Sequence, residues 1–316
     1  MSILPKAIGE WINQFFITAM KKLPLRHAHR FLYLLYTHPK IGDSWGYSIR
    51  PITYYEPIPD YRDLKSDKIW IRRLTDTVNW DVSQQATLLY DLHRFSLEIQ
   101  KLHSSGKFDF HNSFYPRLDA AIYYCITRYL MPAKVIEVGS GYSTQILYQA
   151  SLMNRAEGKL TEIICVEPYP EARLTEIELQ FTLIKEKLEN LNPDFFEQLE
   201  PGDILFIDST HTIKYNSDVC RLILEILPRL KPGVWIHFHD LWFPYDYPYE
   251  WIFDERRSWG EQYFLEAFLS YNAHFKVRFC NNLMAVDFPD AMKNLWSEGV
   301  DWDSSHRSSS VWLERV

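Results

Sequence analysis

The stretch Lys134–Thr144, which reads KVIEVGSGYST, constrains the fold of this chain more than any other. Its β-branched apolar residues predict a short buried strand over Lys134–Val138. Two glycines follow directly, where a strand must turn sharply. Ser143 and Thr144 then predict the N-cap of a helix over Gln145–Ala156. A strand, a glycine turn and a helix N-terminus in this order are typical of doubly wound α/β proteins, which bind nucleotide-like ligands at that turn.

Strand-like and helical patterns alternate from about residue 111 to the end of the chain. Further strands are predicted at Ile163–Val166, Thr182–Ile184, Ile204–Ile207, Val234–Phe238, Phe275–Phe279 and Ser309–Leu313, and helices at Leu118–Met131, Glu171–Gln180 and Ser217–Leu230. Such alternation implies right-handed crossovers and a parallel sheet. Ligands of an open sheet lie at the carboxyl ends of its strands, so we expect the functional residues there.

The first 110 residues follow a different pattern. Helical spacing over Ala7–Tyr36, interrupted near Pro24, predicts a helical pair packed on the main domain or on a second subunit; the alternative is an amphipathic helix on a membrane surface. The proline- and glycine-rich residues 42–63 predict an ordered strap, and a helix over Asp81–His103 follows. We therefore predict a helical extension over residues 1–110 and a main domain over residues 111–316.

The composition narrows the class of protein and its compartment. A formal net charge of -7 disfavours a nucleic-acid partner, since such proteins normally present a basic surface. The four cysteines form no C-x-x-C pair, which is typical of reduced core cysteines. No apolar run reaches the roughly 18 residues that a membrane span needs. The sequence thus predicts a cytoplasmic protein without a transmembrane segment, either monomeric or a homodimer.

Polar residues follow the predicted fourth and fifth strands, which end in IDSTH and HFHD. Asp208, His211, His239 and Asp240 are therefore predicted to face one cleft. Two carboxylates and two imidazoles that converge in this way suit a metal site or acid–base chemistry. His237 lies deeper in its strand, and we expect it in the core.

Taken together, the chain resembles the class I S-adenosylmethionine-dependent methyltransferases, and among them the methyltransferase-24 type. The matching stretches are YYEPIPD, VIEVGSGYST, VEPYP, GDILFIDSTH, LPRLKPGVWIHFHD and EQYFLEAFLSYN. The resemblance implies a Rossmann-like sheet of about seven strands in the order 3-2-1-4-5-7-6, with an antiparallel final hairpin. It also implies S-adenosylmethionine as the donor and a small-molecule hydroxyl, often of a sugar or secondary metabolite, as the acceptor.

The resemblance assigns the donor site residue by residue. The residues expected to bind the donor are Glu137, Gly139, Gly141, Tyr142, Ser143, Glu167, Pro168, Leu188 and Asp208. A carboxylate that closes the second strand can accept both ribose hydroxyls, which is the expected role of Glu167. The acidic side chain before the glycines, Glu137, suits a positively charged sulfonium ligand. In the family the loop after the third strand, here including Leu188, lines the adenine.

The resemblance also suggests how the acceptor is activated. Cation-dependent catechol-type O-methyltransferases place metal-binding aspartates where this chain has Asp208 and Asp240, and a base where it has His211. Their further ligand, an asparagine, is replaced by Leu241, so His239, His211 or waters would complete the shell. Oxygen ligands favour Mg²⁺, and histidines favour Mn²⁺, Fe²⁺ or Zn²⁺. A site without metal, with His211 as general base, is the alternative.

An aromatic-rich stretch, Leu241–Tyr263, follows the fifth strand, where the family covers its acceptor. The residues expected to contact substrate are Trp242, Tyr245, Trp259 and Tyr263. Aromatic rings stack on sugar faces and on aromatic acceptors. The alternative for this stretch is an interface, or a lid that packs on the N-terminal extension.

Two other functions are compatible with the same scaffold. A Rossmann dehydrogenase would prefer a third glycine where this chain has Thr144. A catalytically silent scaffold or membrane-associated partner protein is the second alternative, and the intact set of acidic and glycine residues at the strand ends argues against it. Nucleic-acid methylation is disfavoured by the net charge and by DSTH in place of an N-P-P-Y-like motif.

Overall fold

The computed structural model describes residues 25–64, 71–115, 117–170, 180–296 and 308–316. Its strands are β1 (Lys134–Val138), β2 (Glu162–Val166), β3 (Thr182–Ile184), β4 (Ile204–Ile207), β5 (Trp235–Phe238), β6 (Phe275–Cys280) and β7 (Val311–Arg315). They form one seven-stranded sheet in the order β3-β2-β1-β4-β5-β7-β6. Strands β1 to β5 are parallel, and β7 is antiparallel to both β5 and β6. The predicted fold class, strand order and final hairpin are confirmed.

The helices are α1 (Leu25–Thr37), α2 (Pro39–Ser44), α3 (Val82–Leu92), α4 (Ser96–Ser105), α5 (Arg117–Leu130), α6 (Tyr142–Ala156), α7 (Asp218–Arg221), α8 (Glu261–Leu269), α9 (Asn281–Asp287) and α10 (Pro289–Trp296). Helix α7 continues through a π-helical turn, Leu222–Ile226, and a 3₁₀ turn, Leu227–Arg229; a further π-helical turn spans Glu250–Asp254. Three more 3₁₀ turns cover His93–Phe95, Leu188–Asn190 and Pro193–Gln198.

The core lies around the four central strands, whose apolar β-branched and aromatic residues are buried on both faces. Helix α5 is buried from Leu118 to Arg128, because it is enclosed by α3, α6, α9 and α10. Asp81 caps α3 through its side chain, which accepts a hydrogen bond from the Gln84 N–H. The predicted helix over Asp81–His103 is divided into α3 and α4 by the 3₁₀ turn His93–Phe95. All four cysteines are unpaired, in agreement with the prediction of reduced thiols.

The chain divides into two compact units, Met1–Lys65 and Ser66–Val316. The pattern change near residue 110 therefore falls inside the second unit, where α3 packs against β6. In the first unit, α1 exposes large apolar side chains at Phe31, Leu32, Tyr33, Leu34 and Tyr36. No helix in the described ranges combines the length and apolarity that a membrane crossing needs. The predicted helix before residue 25, and residues 171–179 of another, lie outside the described residues.

Two predicted boundaries are wrong for a local reason. Helix α6 begins at Tyr142, with Gly141 as its N-cap, rather than at Gln145. Thr144 lies in its first turn, where its hydroxyl accepts a hydrogen bond from the Gly141 N–H at 3.2 Å. Strand β7 begins two residues later than predicted, because the backbone N–H of Ser309 donates to a buried carboxylate outside the sheet.

Candidate active site

The glycine turn after β1 is pressed against the end of β4. Gly139 has φ +93°, and a Cβ at this position would lie 2.3 Å from the backbone oxygen of Asp208. Its N–H donates to Val166 O of β2 at 3.0 Å. Only glycine fits both the backbone conformation and the space. This close approach places the end of β4 beside the turn.

A pocket of about 130 Å³ opens between this turn and the N-terminus of α6. It is lined by Phe114, Tyr115, Ser140, Gly141, Tyr142, Ser143 and Asp208. The Ser140 hydroxyl is buried and finds no hydrogen-bond partner in the described ranges. A Cβ on Gly141 would meet nothing within 4 Å. An unpaired hydroxyl, open backbone and a helix N-terminus fit a polar donor such as S-adenosylmethionine.

Glu137 lies beneath the turn, where its side chain is fully buried. One carboxylate oxygen accepts from the Thr144 hydroxyl at 2.6 Å, and the other from the Tyr123 hydroxyl at 3.2 Å. Burial raises the pKa of this carboxyl to about 7, against the opposing effect of these hydrogen bonds. The carboxylate therefore supports the first turn of α6 from below, and it is not part of the pocket wall. Its predicted contact with the donor stays a prediction.

The other predicted donor residues lie on neighbouring strands. Glu167 follows β2 and accepts a hydrogen bond from the Tyr169 N–H at 2.7 Å. Leu188 is buried in the 3₁₀ turn after β3 and contributes to the core. Neither residue lines the pocket beside Gly141, nor does Pro168. Their roles at the ribose and adenine stay predictions.

Three predicted residues converge at the carboxyl ends of β4 and β5. Asp208, His211 and Asp240 each place one donor atom within 4.8 Å of the others. His211 Nε2 lies 3.3 Å from Asp208 Oδ1 and 3.7 Å from Asp240 Oδ2. His211 and Asp240 both have left-handed backbones, with φ +57° and +59°. Non-glycine residues adopt this conformation at a cost, and such strain is often found at functional sites.

Glu261, at the start of α8, completes the surroundings of His211 and was not predicted. Its fully buried carboxylate lies 2.7 Å from His211 Nδ1. The Gly260 and Glu261 N–H groups both donate to His211 O, at 3.0 and 3.3 Å, which holds its left-handed backbone. The ring of Trp259 packs on the imidazole with centroids 4.2 Å apart. His211 is thereby fixed in both backbone and ring orientation.

The charges of this cluster depend on one another. Burial lowers the pKa of His211, but Asp208 and Glu261 outweigh it and raise the pKa to about 10. The pKa of Asp208 is held below its usual range by His239 and His211 in spite of burial. Burial raises the pKa of Asp240. Without a cation, His211 is therefore protonated at neutral pH.

A second histidine lies under the cluster. His239 is 3% exposed, and its Nδ1 is 3.6 Å from Asp208 Oδ1 and 3.5 Å from Asp240 Oδ1. On its other side, Nε2 lies 3.8 Å from Oδ2 of Asp119, a fully buried residue that was not predicted. His237 is stacked on Phe206 in the core, as expected.

The two aspartates and the imidazoles fit a divalent cation. Donor atoms of Asp208, His211 and Asp240 all lie within 4.8 Å of one another, which is close enough to share an ion. His239 Nδ1 lies 3.6 Å from Asp208 and 3.5 Å from Asp240, and both of its ring nitrogens lack hydrogen-bond partners among the described residues. Mixed oxygen and nitrogen donors suit Mn²⁺, Fe²⁺ or Zn²⁺, while Mg²⁺ would rely on the two carboxylates and water.

The aromatic stretch brings one of its predicted substrate residues to the site. Trp259 contacts His211, and it also carries the guanidinium of Arg257 4.5 Å from its ring centroid. Trp242 is buried and packs edge-on against Trp251. Tyr263 is 44% exposed, and the Tyr245 carbonyl accepts from Gln262. The predicted substrate contacts of all four rings stay predictions.

Comparison with known proteins identifies the domain. A family model described as a methyltransferase domain matches residues 136–241, which include the glycine turn and the ends of β4 and β5. An uncharacterised protein of Archaeoglobus fulgidus is 23% identical over 185 residues, which is 54% of this chain and 82% of that protein.

The chain is also similar to solved structures. An O-methyltransferase from Bacillus cereus in complex with S-adenosylhomocysteine is 11% identical, with 71% of this chain and 91% of that chain covered and a TM-score of 0.35. A plantazolicin methyltransferase, in complex with S-adenosylhomocysteine and a substrate analogue, is 12% identical, with 73% and 99% covered and a TM-score of 0.40. With the family match and the strand order, the recognition of a class I, S-adenosylmethionine-dependent methyltransferase is confirmed.

Proposed function

We propose that this S-adenosylmethionine-dependent methyltransferase transfers the methyl group to a hydroxyl oxygen of a small molecule, with His211 as the general base. The observation that carries the proposal is the position of His211. It lies between Asp208, which lines the donor pocket, and Trp259 of the aromatic stretch. A base between donor and acceptor sites is what an oxygen acceptor requires.

The reaction needs little from the protein apart from alignment and removal of one proton. S-adenosylmethionine, when bound, supplies a methyl group on a cationic sulfur, so the leaving group needs no activation. The acceptor oxygen forms a bond to the methyl carbon as the bond from carbon to sulfur breaks. The hydroxyl proton passes to His211 Nε2. Holding the two reactants in line contributes much of the rate enhancement.

Glu261 determines which ring nitrogen of His211 can accept a proton. Its carboxylate is 2.7 Å from Nδ1 and fixes a proton on that nitrogen, so Nε2 is the nitrogen that can accept a proton once His211 is neutral. Without a cation the pKa of about 10 keeps His211 protonated at neutral pH, and a cation held by Asp208 and Asp240 would lower that pKa. Nε2 faces Asp208 and Asp240. These two carboxylates would hold a divalent cation, which would lower the pKa of a coordinated hydroxyl when bound.

The acceptor class follows from the surroundings of the base. Trp259 places an aromatic ring beside His211, and Tyr247 and Trp251 pack edge-on to it, which makes an aromatic surface of the kind that contacts a sugar or an aromatic ring. The formal charge of -7 is unfavourable for nucleic acid. A neutral sugar or phenolic hydroxyl is therefore the acceptor that we favour.

The donor site is tested by calorimetric titration of the purified chain with S-adenosylhomocysteine. We expect micromolar binding, because the pocket beside Gly141 offers a helix N-terminus and an unpaired hydroxyl. Repeating the titration with EDTA, and then with Mg²⁺ or Mn²⁺ restored, tests whether an ion lies beside Asp208. Absence of binding under all three conditions would leave the silent-scaffold alternative. Binding justifies screening sugars and phenols with methyl-labelled donor.

The protonation of His211 gives a test that needs no acceptor. Because its pKa is raised to about 10 in the metal-free protein, its imidazole should stay protonated through neutral pH and lose its proton near pH 10. A cation between the neighbouring carboxylates repels this proton, so Mg²⁺ should move the midpoint to lower pH. Histidine ring NMR with ¹³C-labelled protein measures both midpoints, and His211→Asn identifies the resonance. A midpoint near pH 6.5 that does not change when Mg²⁺ is added would contradict the contacts of His211 with Asp208 and Glu261.

A further inference from the structure

Two buried carboxylates outside the strand ends each face one histidine of the cluster. Glu261 contacts His211, whereas Asp119 lies next to His239. The first pair belongs to the base already described. The second pair lies deeper and has no part in the proton transfer, so its purpose needs a separate explanation.

The surroundings of Asp119 hold it firmly in place. Its Oδ1 accepts hydrogen bonds from Asn281 Nδ2 at 2.8 Å and from the Ser308 hydroxyl at 2.7 Å, and the Ser309 N–H approaches both oxygens. The side chain is fully buried in the first turn of α5. An ionised carboxylate in such a place is costly unless a positive charge or hydrogen-bond donors face it. The His239 ring also lies beside this carboxylate, with Nε2 3.8 Å from Oδ2.

The His239 ring is unsatisfied between two groups of carboxylates. It is 3% exposed, and neither ring nitrogen makes a hydrogen bond to any described residue. The Nδ1 distances of 3.5 and 3.6 Å to Asp240 and Asp208 are too long for hydrogen bonds. They are close to the spacing of about 3.0 to 3.5 Å between donor atoms that share one ion. The unpaired nitrogen therefore points to a ligand.

We propose that Asp119 is a positioning residue that holds the His239 imidazole as the third donor of a divalent-cation site. The other two donors are Asp208 and Asp240. Histidines that bind metals usually donate their second ring N–H to a carboxylate, which fixes the tautomer and the ring direction. Asp119 Oδ2, 3.8 Å from Nε2, is the carboxylate oxygen that would accept this N–H once a bound ion draws the ring into place, and Nδ1 would then face the two aspartates.

Asp119 is also linked to Asp240, through Ser309. Ser309, whose N–H is bound by Asp119, donates its hydroxyl to Asp240 Oδ1 at 3.2 Å. The Ser309 carbonyl also accepts the N–H of Leu241, directly after Asp240. Asp119 thus organises two of the three donors, although its own side chain contacts no ion. His211 remains free to act as base, held by a different carboxylate.

This inference rests on the divalent cation of the proposed function. The role of Asp119 is tested by measuring Mn²⁺ binding to the metal-depleted full chain. The signal of free Mn²⁺ in electron paramagnetic resonance reports binding without any turnover. We expect Asp119→Asn to weaken Mn²⁺ binding by about 10- to 100-fold, as supporting residues of metal sites do. Glu261→Gln, the matched loss of a buried carboxylate beside the other histidine, should leave the affinity within about threefold. In the double variant His239→Ala and Asp119→Asn, the affinity for Mn²⁺ should equal that of His239→Ala alone. The reason is that both substitutions act through the His239 ring.

The other outcomes separate the two proposals. If the unmodified protein binds Mn²⁺ and Asp119→Asn binds it with the same affinity, the positioning role of Asp119 is overturned. The proposed cation site then remains. The reverse pattern, weak binding in Glu261→Gln alone, makes His211 the third donor and also overturns the positioning role of Asp119. No Mn²⁺ binding by the unmodified protein overturns both, while S-adenosylhomocysteine binding still tests the methyltransferase. If Asp119→Asn does not fold, Ser308→Ala removes one bond to Asp119 and keeps its charge; a normal affinity there counts against the proposal.

Discussion

Replacing Gly139 with alanine should abolish donor binding and strongly destabilise the protein. A Cβ at this position would lie 2.3 Å from the Asp208 backbone oxygen, so β1 and β4 would have to separate. The left-handed backbone alone costs alanine about 1 to 2 kcal/mol. With the displacement of the strand we expect a total loss of about 3 to 5 kcal/mol in the free energy of unfolding. Denaturant unfolding and calorimetry with S-adenosylhomocysteine measure both effects, and we expect at least a roughly 100-fold loss of affinity, equivalent to about 2.7 kcal/mol.

Gly202 provides a matched control for this substitution. It has φ +90°, close to the +93° of Gly139, but a Cβ there would meet nothing within 4 Å. Gly202→Ala should therefore show only the conformational cost and bind S-adenosylhomocysteine normally. If both variants lost equal stability and both kept donor affinity, the close packing of the turn on β4 would have no functional importance.

Replacing His211 with asparagine should remove most of the methyl transfer while the donor still binds. Asparagine tolerates the left-handed backbone at φ +57°, so the change removes the base with little strain. General-base catalysis is worth about 10²- to 10⁴-fold in rate, and we expect a loss in that range. The rate is measured with methyl-labelled donor and a hydroxyl compound from the acceptor screen. The affinity for S-adenosylhomocysteine should stay within about threefold, since His211 does not line the donor pocket.

Two further variants show whether the loss comes from the base. Glu261→Gln keeps the imidazole but removes the carboxylate that orients it, so turnover should fall by a smaller factor than in His211→Asn. His274→Gln changes an exposed histidine directly before β6, outside the cluster, and should have no effect. Full turnover in His211→Asn would rule out His211 as the base and favour activation of the acceptor by the cation alone.

Much of the site could be predicted because strand ends are encoded locally. Asp208 directly follows β4, Asp240 follows β5 after one residue, and parallel neighbours in a sheet end at the same edge. The glycine turn was visible for the same reason, since Gly139 and Gly141 directly follow a strand. The convergence of His211 with the two aspartates then required only that the strand order be right, and it was.

The residues that the sequence did not reveal act across long separations in the chain. Glu261 is 50 residues from His211, and Asp119 lies 162 residues from Asn281, to which it is hydrogen-bonded. Each is an acidic residue in the first turn of a helix, where acidic residues are common for reasons of the helix dipole alone. Nothing in their local pattern separates a buried functional carboxylate from an ordinary surface one.

The direction in which a side chain points was also undecided by the sequence. Glu137 alternates with its neighbours along β1, which shows that it shares a face with Val135 but not what covers that face. The packing of α5 and α6 decides this, and it buries the carboxylate against Tyr123 and Thr144. Local periodicity thus determined the elements, their order along the chain and the edge where they end. Tertiary packing alone decided which carboxylates hold the two histidines, because those contacts depend on helices that meet only after the sheet has formed.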